Sequence, residues 1–240
     1  MSRVLAVRIR DDRLDDADLR VSVLRVIEGF LEREQEEVYR YLHPQSLMDR
    51  QGPGSFQLHV AGSALCDAVG SDSLAFANVV MAVDSLPIIG LLPFGAVVLN
   101  DSGRWKVLSF STAGVVPATS DVSVDGFLVE AQGDDPGEAP VSPILLEPVS
   151  GFAFTQEDLG RSGLDFVWMQ GHSDSVIGEV IEFVNTSEQR SFLFLYQDRG
   201  GERRVERNML PSNAGEWIWR VWSIGSDGRV SFSYTRRFTQ

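Results

Sequence analysis

Residues 216–234 read EWIWRVWSIGSDGRVSFSY and hold three of the chain's five tryptophans within six positions. Side chains alternate between the two faces of a β-strand, so Trp217 and Trp219 share one face and Trp222 lies on the other. Large aromatic rings dominate burial. The three tryptophans therefore form either a binding platform or part of a core, and alternation alone separates them into two sets.

The opposite face of the same strand is a candidate interface. It carries a tryptophan between two isoleucines and beside an arginine. An exposed apolar patch of this kind is a poor choice for a solvated face. We therefore predict that a second domain, a linker or a partner protein covers it. The candidate interface residues are Trp222, Ile218, Ile224 and Arg220.

Seven short runs of strand-forming residues extend from about Val141 to the end of the chain, with turn residues such as NTSEQ, DRGGE and PSNAG between them. Many short strands punctuated in this way predict an all-β seven-stranded sandwich, which we assign to residues 141–240. The runs are SPILLEP, LDFVWMQ, GEVIEFVN, RSFLFLYQ, RRVERNML, EWIWRVWSI and RVSFSYTRRF.

Two tryptophan motifs stand out in this half. Trp168 lies in the second predicted strand, and residues 217–221 give an aromatic-x-Trp-Arg-Val sequence in the sixth. With these motifs the segment resembles a fibronectin type III or closely related immunoglobulin-like module, which implies a β-sandwich. The resemblance also implies that Trp217 and Trp219 lie in the core between its two sheets. Members of that family usually have a tyrosine where this chain has Trp217, and the tyrosine hydroxyl ties down a neighbouring turn. The resemblance therefore implies a looser corner here.

The first half changes from helical to strand patterns. A helix is predicted over about 16–33 from apolar residues at helical spacing, and a second helix is ended by Pro44. Strand patterns follow, and NDSG at 100–103 predicts a hairpin. This order predicts an α+β N-terminal domain over residues 1–115, with helices packed on a curved antiparallel sheet. The apolar segment SLPIIGLLPFG is expected to cover the open end of that fold, or to bury against the second domain or a partner.

An acidic linker is predicted between the two domains. Residues 113–141 hold six acids and no base, together with three prolines. The piece GDDPGEAP has no periodicity and is typical of an exposed linker. We assign the linker to residues 116–140.

The ends of the second helix and of the last hairpin carry two short motifs, Leu42-His43-Pro44 and DSGRWKV at 101–107. With them the first half resembles the nuclear-transport-factor-2-like superfamily, which has a cone-shaped α+β fold. The superfamily includes isomerases, dehydratases and non-catalytic ligand or partner modules. The resemblance also implies homodimerisation through the N-terminal sheet.

Charge and hydropathy exclude several classes of function. The formal charge is −13, with 34 acids against 21 bases, so phosphate backbones and anionic lipids are repelled. We expect no nucleic-acid partner. Since no apolar run approaches the ~18 residues of a transmembrane helix, we expect no membrane span. The chain as it stands predicts a cytoplasmic protein, or an extracytoplasmic one if a leader was removed.

Motifs for catalysis and cofactor binding are missing from the sequence. The three histidines are scattered without metal-ligand spacing, so we expect no metal. No phosphate-binding glycine loop or dinucleotide fingerprint is present, so we expect no cofactor. A ligand pocket in the N-terminal cone would draw on Tyr41, His59 and Asp84. The alternative is that Tyr41 packs under the sheet, His59 lies on a strand surface and Asp84 ends a strand.

Two hypotheses follow for function. The first is a non-enzymatic binding or interaction protein, whose cone holds a protein partner or a small apolar ligand and whose sandwich is an adaptor. The alternative is an isomerase- or dehydratase-like enzyme with an acid–base site in the N-terminal cone.

Overall fold

A computed structural model describes the chain in fourteen segments, and the structural statements below concern these. They are residues 4–7, 17–32, 35–48, 59–70, 73–85, 88–111, 115–117, 140–159, 165–170, 176–187, 190–196, 202–206, 214–225 and 228–240. The predicted linker at 116–140 lies outside the described residues except at its two ends.

The chain divides into two compact units. The first unit comprises Met1–Val115 and Glu188–Ser191, and the second comprises Val116–Ser187 and Phe192–Gln240. Each unit is described by itself below.

The first unit contains two helices and a five-stranded sheet with strand order β1-β2-β3-β4-β5. β1 pairs parallel with β2, and the other neighbours are antiparallel. The elements are β1 (Val4–Val7), α1 (Ala17–Glu32), α2 (Gln35–Tyr41), β2 (His59–Gly70), β3 (Leu74–Ser85), β4 (Ile88–Asp101) and β5 (Arg104–Ser111).

The α+β class predicted for the N-terminal domain is wrong, because the molecule is mostly β. The described residues form fifteen strands and only three helices, and the third helix is four residues long. Three strands of the first unit are 12 to 14 residues long, so the sheet and not the helices makes up most of this unit. The helical pattern at the N-terminus was strong, but it occupies a small part of the chain.

Two stretches account for the difference. β2 contains mostly small residues with low strand propensity, so its length has no clear strand pattern, although one reading of the sequence put His59 on a strand surface. The apolar segment at 85–95, expected as a cover, instead lies mainly in β4. Pro93 sits within β4, opposite Val80 of β3. A proline inside an apolar run argues against a strand, so the sequence pattern did not indicate this part of β4.

Helix α1 is amphipathic and buries one face. Leu19, Val23, Val26 and Ile27 follow helical spacing and are all fully buried. The helix contacts β5, β2 and β4 of the sheet as well as α2. The predicted first helix is thus confirmed, with ends within one residue of those expected.

The hairpin predicted at NDSG is confirmed as the connection between β4 and β5. Its two central residues, Ser102 and Gly103, have φ values of 54° and 83°. Positive φ at both positions is the signature of a type I′ turn, whose twist matches the flanking strands. The Gly103 N–H donates to Oδ1 of Asn100 at 2.9 Å, which fixes the turn.

The second unit is built on two sheets. One has seven strands in the order β6-β11-β10-β13-β15-β8, with β14 pairing β13, and the other has three in the order β12-β9-β7. The elements are β6 (Val115–Pro117), β7 (Ile144–Glu147), β8 (Phe152–Ala153), α3 (Gln156–Leu159), β9 (Asp165–Met169), β10 (Val176–Asn185), β11 (Arg190–Tyr196), β12 (Glu202–Glu206), β13 (Glu216–Gly225), β14 (Val230–Phe232) and β15 (Arg236–Thr239).

The predicted count of seven strands over residues 141–240 is also wrong, since the described residues of that range hold nine strands, and the tenth strand of these two sheets, β6, precedes it. Each of the seven predicted runs contains a strand, but the last run is divided into β14 and β15. The two remaining strands, β6 and β8, have three and two residues. Strands this short carry too few residues for an alternating pattern to be visible in the sequence.

Aromatic side chains from both sheets form the core of the second unit. Phe166 on β9 lies 4.7 Å from Phe183 on β10 and 5.2 Å from Trp219 on β13, measured between ring centroids. Trp217 stacks on Phe238 at 5.9 Å. Trp217 and Trp219 are both fully buried in this cluster, which confirms the expectation for that face of β13.

Candidate functional site

The three candidate pocket residues lie on different elements. His59 is the first residue of β2 and is the register partner of Asp84 on β3, so the structure brings these two backbone positions directly opposite each other. Tyr41 is the last residue of α2, and its half-buried side chain lines a cleft in the first unit.

This cleft has a volume of about 320 Å³ and is formed by α1, α2 and β5. Every element contributes at least one charged side chain to its wall. The lining residues are Asp18, Val21 and Ser22 from α1, Arg40 and Tyr41 from α2, and Arg104, Trp105 and Lys106 from β5.

Helix α1 is tied to β5 at the floor of the cleft. Ser22 Oγ donates a hydrogen bond to the Trp105 carbonyl at 2.7 Å, and both residues are buried. Val21, the neighbour of Ser22, is 42% exposed at the cleft wall. Asp18 and Ser22 are four residues apart and therefore share one helix face.

Helix α2 is tied to the same strand by the residues that follow it. Leu42 forms a parallel bridge with Val107, and the His43 N–H donates to the Val107 carbonyl at 2.8 Å. His43 Nδ1 accepts a hydrogen bond from the Gln45 N–H at 3.1 Å, which orders the turn at Pro44. These bonds hold Tyr41, one residue before the bridge, beside β5.

The cleft carries an excess of positive charge. Arg104 and Lys106 are two residues apart on β5 and share a face of the strand. With Arg40 they make three cations against the single acid Asp18. Lys106 Nζ also lies 3.8 Å from Asp101 Oδ2, a half-exposed pair. The sign of the cleft is thus opposite to the net charge of −13 on the whole chain.

Most of the candidate interface residues lie in a buried cluster. Arg220, Trp222 and Ile224 are at most 2% exposed within the chain itself, and Ile218 is half-buried. A partner would have to displace residues of the same chain to reach the first three. The role of all four in binding a partner stays a prediction.

A carboxylate holds this cluster together. Glu182 Oε2 accepts hydrogen bonds from Arg220 Nε at 2.7 Å and from Trp222 Nε1 at 3.1 Å. The Arg220 guanidinium carbon lies 4.7 Å from the centroid of the Phe232 ring and 5.7 Å from that of Trp222, within cation–π range. Trp222 therefore donates its indole N–H to a carboxylate, and its ring lies within cation–π range of Arg220.

Strand register explains why these groups meet. Glu182 is the partner of Arg220 and Val180 is the partner of Trp222 in the β10–β13 ladder, so all four lie on one face of the sheet. Glu182 is fully buried, and in the described part of the chain its second oxygen, Oε1, has no hydrogen-bond partner.

A second buried glutamate lies on the opposite face of β10. Glu179 Oε2 accepts a hydrogen bond from Trp168 Nε1 at 2.9 Å, and Glu179 Oε1 accepts one from Ser223 Oγ at 3.3 Å. This contact satisfies the indole N–H of Trp168 on β9. Each glutamate thus accepts a hydrogen bond from a tryptophan indole N–H, one on each face of the same sheet.

Sequence analysis missed both glutamates and the three cations of the cleft. Alternation does place Arg104 and Lys106 on one face of β5, and it marks Glu182 as a charge within an otherwise apolar strand face. The two donors to Glu182 lie 38 or more positions away in the chain. The residues that line the cleft together with Arg104 and Lys106 come from other elements. Such contacts depend on register and helix packing.

The described residues hold no cluster of three or more histidine, cysteine, aspartate or glutamate side chains able to bind a metal ion. No helix in the described segments is long and apolar enough to cross a membrane. A scan against protein-family models finds no match to this chain, and a search of curated proteins finds none with significant similarity. The geometry of the molecule is the basis for a functional proposal.

Proposed function

We propose that this chain is a non-enzymatic binding protein whose ligand site is the cleft between α1, α2 and β5. The observation that carries the proposal is the cleft itself, about 320 Å³ with apolar and charged side chains side by side. Small-molecule sites are concavities of roughly 300–1,000 Å³ that combine an apolar wall with a few polar groups. Its walls are held by the Ser22–Trp105 bond and the His43–Val107 bond, so the site is preformed.

The second unit fits the role of an adaptor, and we infer that it is a fibronectin type III-like module. Two sheets enclosing one aromatic core support this inference, as does Trp168 buried on the central strand of the smaller sheet. Such modules generally act as spacers or partner-binding surfaces. Homodimerisation through the sheet of the first unit remains part of the proposal and rests on resemblance.

Binding at the cleft is tested by nuclear magnetic resonance with the full-length chain. Amide resonances are followed while a library of small aromatic and aliphatic fragments is added. Fragments that bind should shift amides of residues 18–22, 40–41 and 104–106. The Val21→Trp variant should abolish these shifts, because the indole fills the cleft from a position that is 42% exposed and tolerates a larger side chain.

The matched control is Val149→Trp, which adds the same ring at a position 62% exposed in the second unit. This variant should keep the fragment-induced shifts. A library that shifts no amide around the cleft, or shifts that survive in Val21→Trp, would refute the proposed site.

The enzyme alternative is favoured by one observation, the pairing of His59 opposite Asp84 in the β2–β3 register. Opposed histidine and carboxylate positions suit an acid–base pair that abstracts a proton next to a carbonyl. The test is deuterium incorporation into a β,γ-unsaturated ketone in heavy water. Exchange above the solution rate, lost in Asp84→Asn, would support it, and exchange at the solution rate would exclude this reaction.

A further inference from the structure

We infer that the cleft selects a small ligand with a carboxylate or phosphate group, and that Arg104 and Lys106 are its specificity-determining residues. This inference deepens the proposed function and rests on it. It concerns only the chemical class of the ligand.

The first argument is local charge. Three of the four charged residues lining the cleft are cations. In the chain as a whole, acids outnumber bases by 34 to 21. A concave site of one sign concentrates ligands of the opposite sign, and low-dielectric walls strengthen the effect. Half-buried Tyr41 provides part of such a wall.

The second argument is the availability of the two β5 cations. Arg104 is exposed, and in the described residues its guanidinium has no ion pair or hydrogen bond with another side chain. Lys106 has a partner in Asp101, but the pair is 3.8 Å long and its acid is 48% exposed. A partly exposed pair of this length contributes little to stability, so an anion can compete for the ammonium group.

The third argument is geometry. Arg104 and Lys106 extend from the same face of β5 and therefore point to the same side of the strand. A guanidinium offers a planar pair of donors that matches the two oxygens of a carboxylate or phosphate. Val21 and Tyr41 line the same cleft and can contact an apolar body attached to the anionic group.

The fourth argument concerns size. A cleft of about 320 Å³ lies at the small end of ligand sites and holds one compact molecule. Long polyanions would meet the field of a chain with a net charge of −13. A small organic anion therefore fits the site better than a nucleic acid or an anionic membrane surface.

The inference is tested with matched pairs of carboxylates and carboxamides, namely benzoate with benzamide, phenylacetate with phenylacetamide, and butyrate with butyramide. Dissociation constants are measured on the full-length chain by amide shifts around the cleft. Each acid is expected to bind roughly three- to tenfold more tightly than its amide at low salt, and the difference should shrink at high salt.

Arg104→Gln and Lys106→Gln should each remove most of the preference for the acid while leaving amide binding unchanged. The control is Arg25→Gln, which removes a cation on α1 that is 51% exposed and does not line the cleft. This control should preserve the preference.

The outcomes separate the two claims. Acids and amides that bind the cleft equally, in wild type and Arg104→Gln alike, would overturn anion selectivity and leave the binding site standing. If neither class shifts the cleft amides, then both the anion selectivity and the proposed function fail. Inorganic phosphate is the second arm: millimolar phosphate is expected to compete with benzoate, and a lack of competition would remove phosphate from the proposed ligand class.

Discussion

Glu182 satisfies two buried donors with one carboxylate oxygen. Removing charges from water is costly, and a buried ion pair is favourable only when its geometry is good and its hydrogen bonds are made. Here the Arg220 guanidinium also lies within cation–π range of the Phe232 and Trp222 rings. Removing Glu182 therefore leaves the Arg220 Nε–H and the Trp222 indole N–H without this acceptor, and removing Arg220 leaves the carboxylate without its cation.

We predict that Arg220→Leu destabilises the second unit by about 3–5 kcal/mol, because it leaves the Glu182 carboxylate buried and uncompensated. The double variant Glu182→Leu/Arg220→Leu should lose much less than the sum of the two single variants. Urea unfolding followed by circular dichroism measures the free energies. Additive losses would show that the two side chains do not act as a pair.

Trp219 anchors the aromatic core of the second unit. We predict that Trp219→Ala costs about 3–5 kcal/mol, the usual loss for a fully buried large ring. Trp219→Phe should cost clearly less, since it keeps most of the ring and removes an indole N–H that has no hydrogen-bond partner in the described residues.

The control for Trp219 is Tyr234→Ala, at a side chain 94% exposed, which should change the free energy of unfolding by under about 0.5 kcal/mol. Guanidinium titration provides all three values. A loss below about 1 kcal/mol for Trp219→Ala would contradict the placement of its ring in the core.

Sequence patterns resolved the tryptophans only in part. Alternation was enough to divide Trp217 and Trp219 from Trp222, because it is a local property of one strand. It could not show that Glu182 lies across the ladder from Arg220. That contact is set by the register of β10 and β13, which brings together two residues 38 positions apart in the chain.

At the scale of elements, the β4–β5 hairpin and the helix ends together shape the cleft. The type I′ turn at Ser102 and Gly103 fixes where β5 begins, and thus where Arg104 and Lys106 project. The Leu42–Val107 bridge then brings α2 to the same strand. A substitution that disfavours this turn should therefore lower the stability of the first unit and weaken ligand binding at the cleft.

Gly103→Ala is predicted to destabilise the first unit by about 1–2 kcal/mol, the cost of holding a side chain in the left-handed region. At this position φ is 83° and an added Cβ would meet no atom within 4 Å, so backbone strain is the whole effect. Gly103→Asn should cost less, because asparagine tolerates positive φ. Thermal unfolding compares the variants, and equal stability of Ala and Gly at this site would rule out the type I′ turn.

The elements that sequence patterns predicted well are those with local causes. Helix α1 has its own amphipathic period, and the hairpin has its own turn residues. β2 was missed because its glycine, alanine and serine residues have little strand propensity and depend on pairing with β3. The first part of β4 was expected to be a cover and not a strand, because its apolar run contains Pro93 and does not alternate.

At the scale of the whole molecule, charge distribution is the feature most relevant to function. A net charge of −13 disfavours polyanionic partners, while the cleft presents three cations to solvent. Composition revealed the first property at once. The positive charge of the cleft arises only when α1, α2 and β5 come together, and no sequence pattern within a single element indicates it. The fold class was also mistaken. More residues lie in the long paired strands than in the helices, and strand pairing is not visible in the pattern of a single element.

A crystal structure of the full-length chain with 4-bromobenzoate tests the central claim most directly, because bromine is located by its anomalous scattering. We predict a bromine peak inside the cleft and a carboxylate within hydrogen-bond distance of Arg104 or Lys106. The same soak of Arg104→Gln should give a weaker peak. Bromine found only outside the cleft, or a carboxylate turned away from both cations, would contradict an anion-selecting binding site.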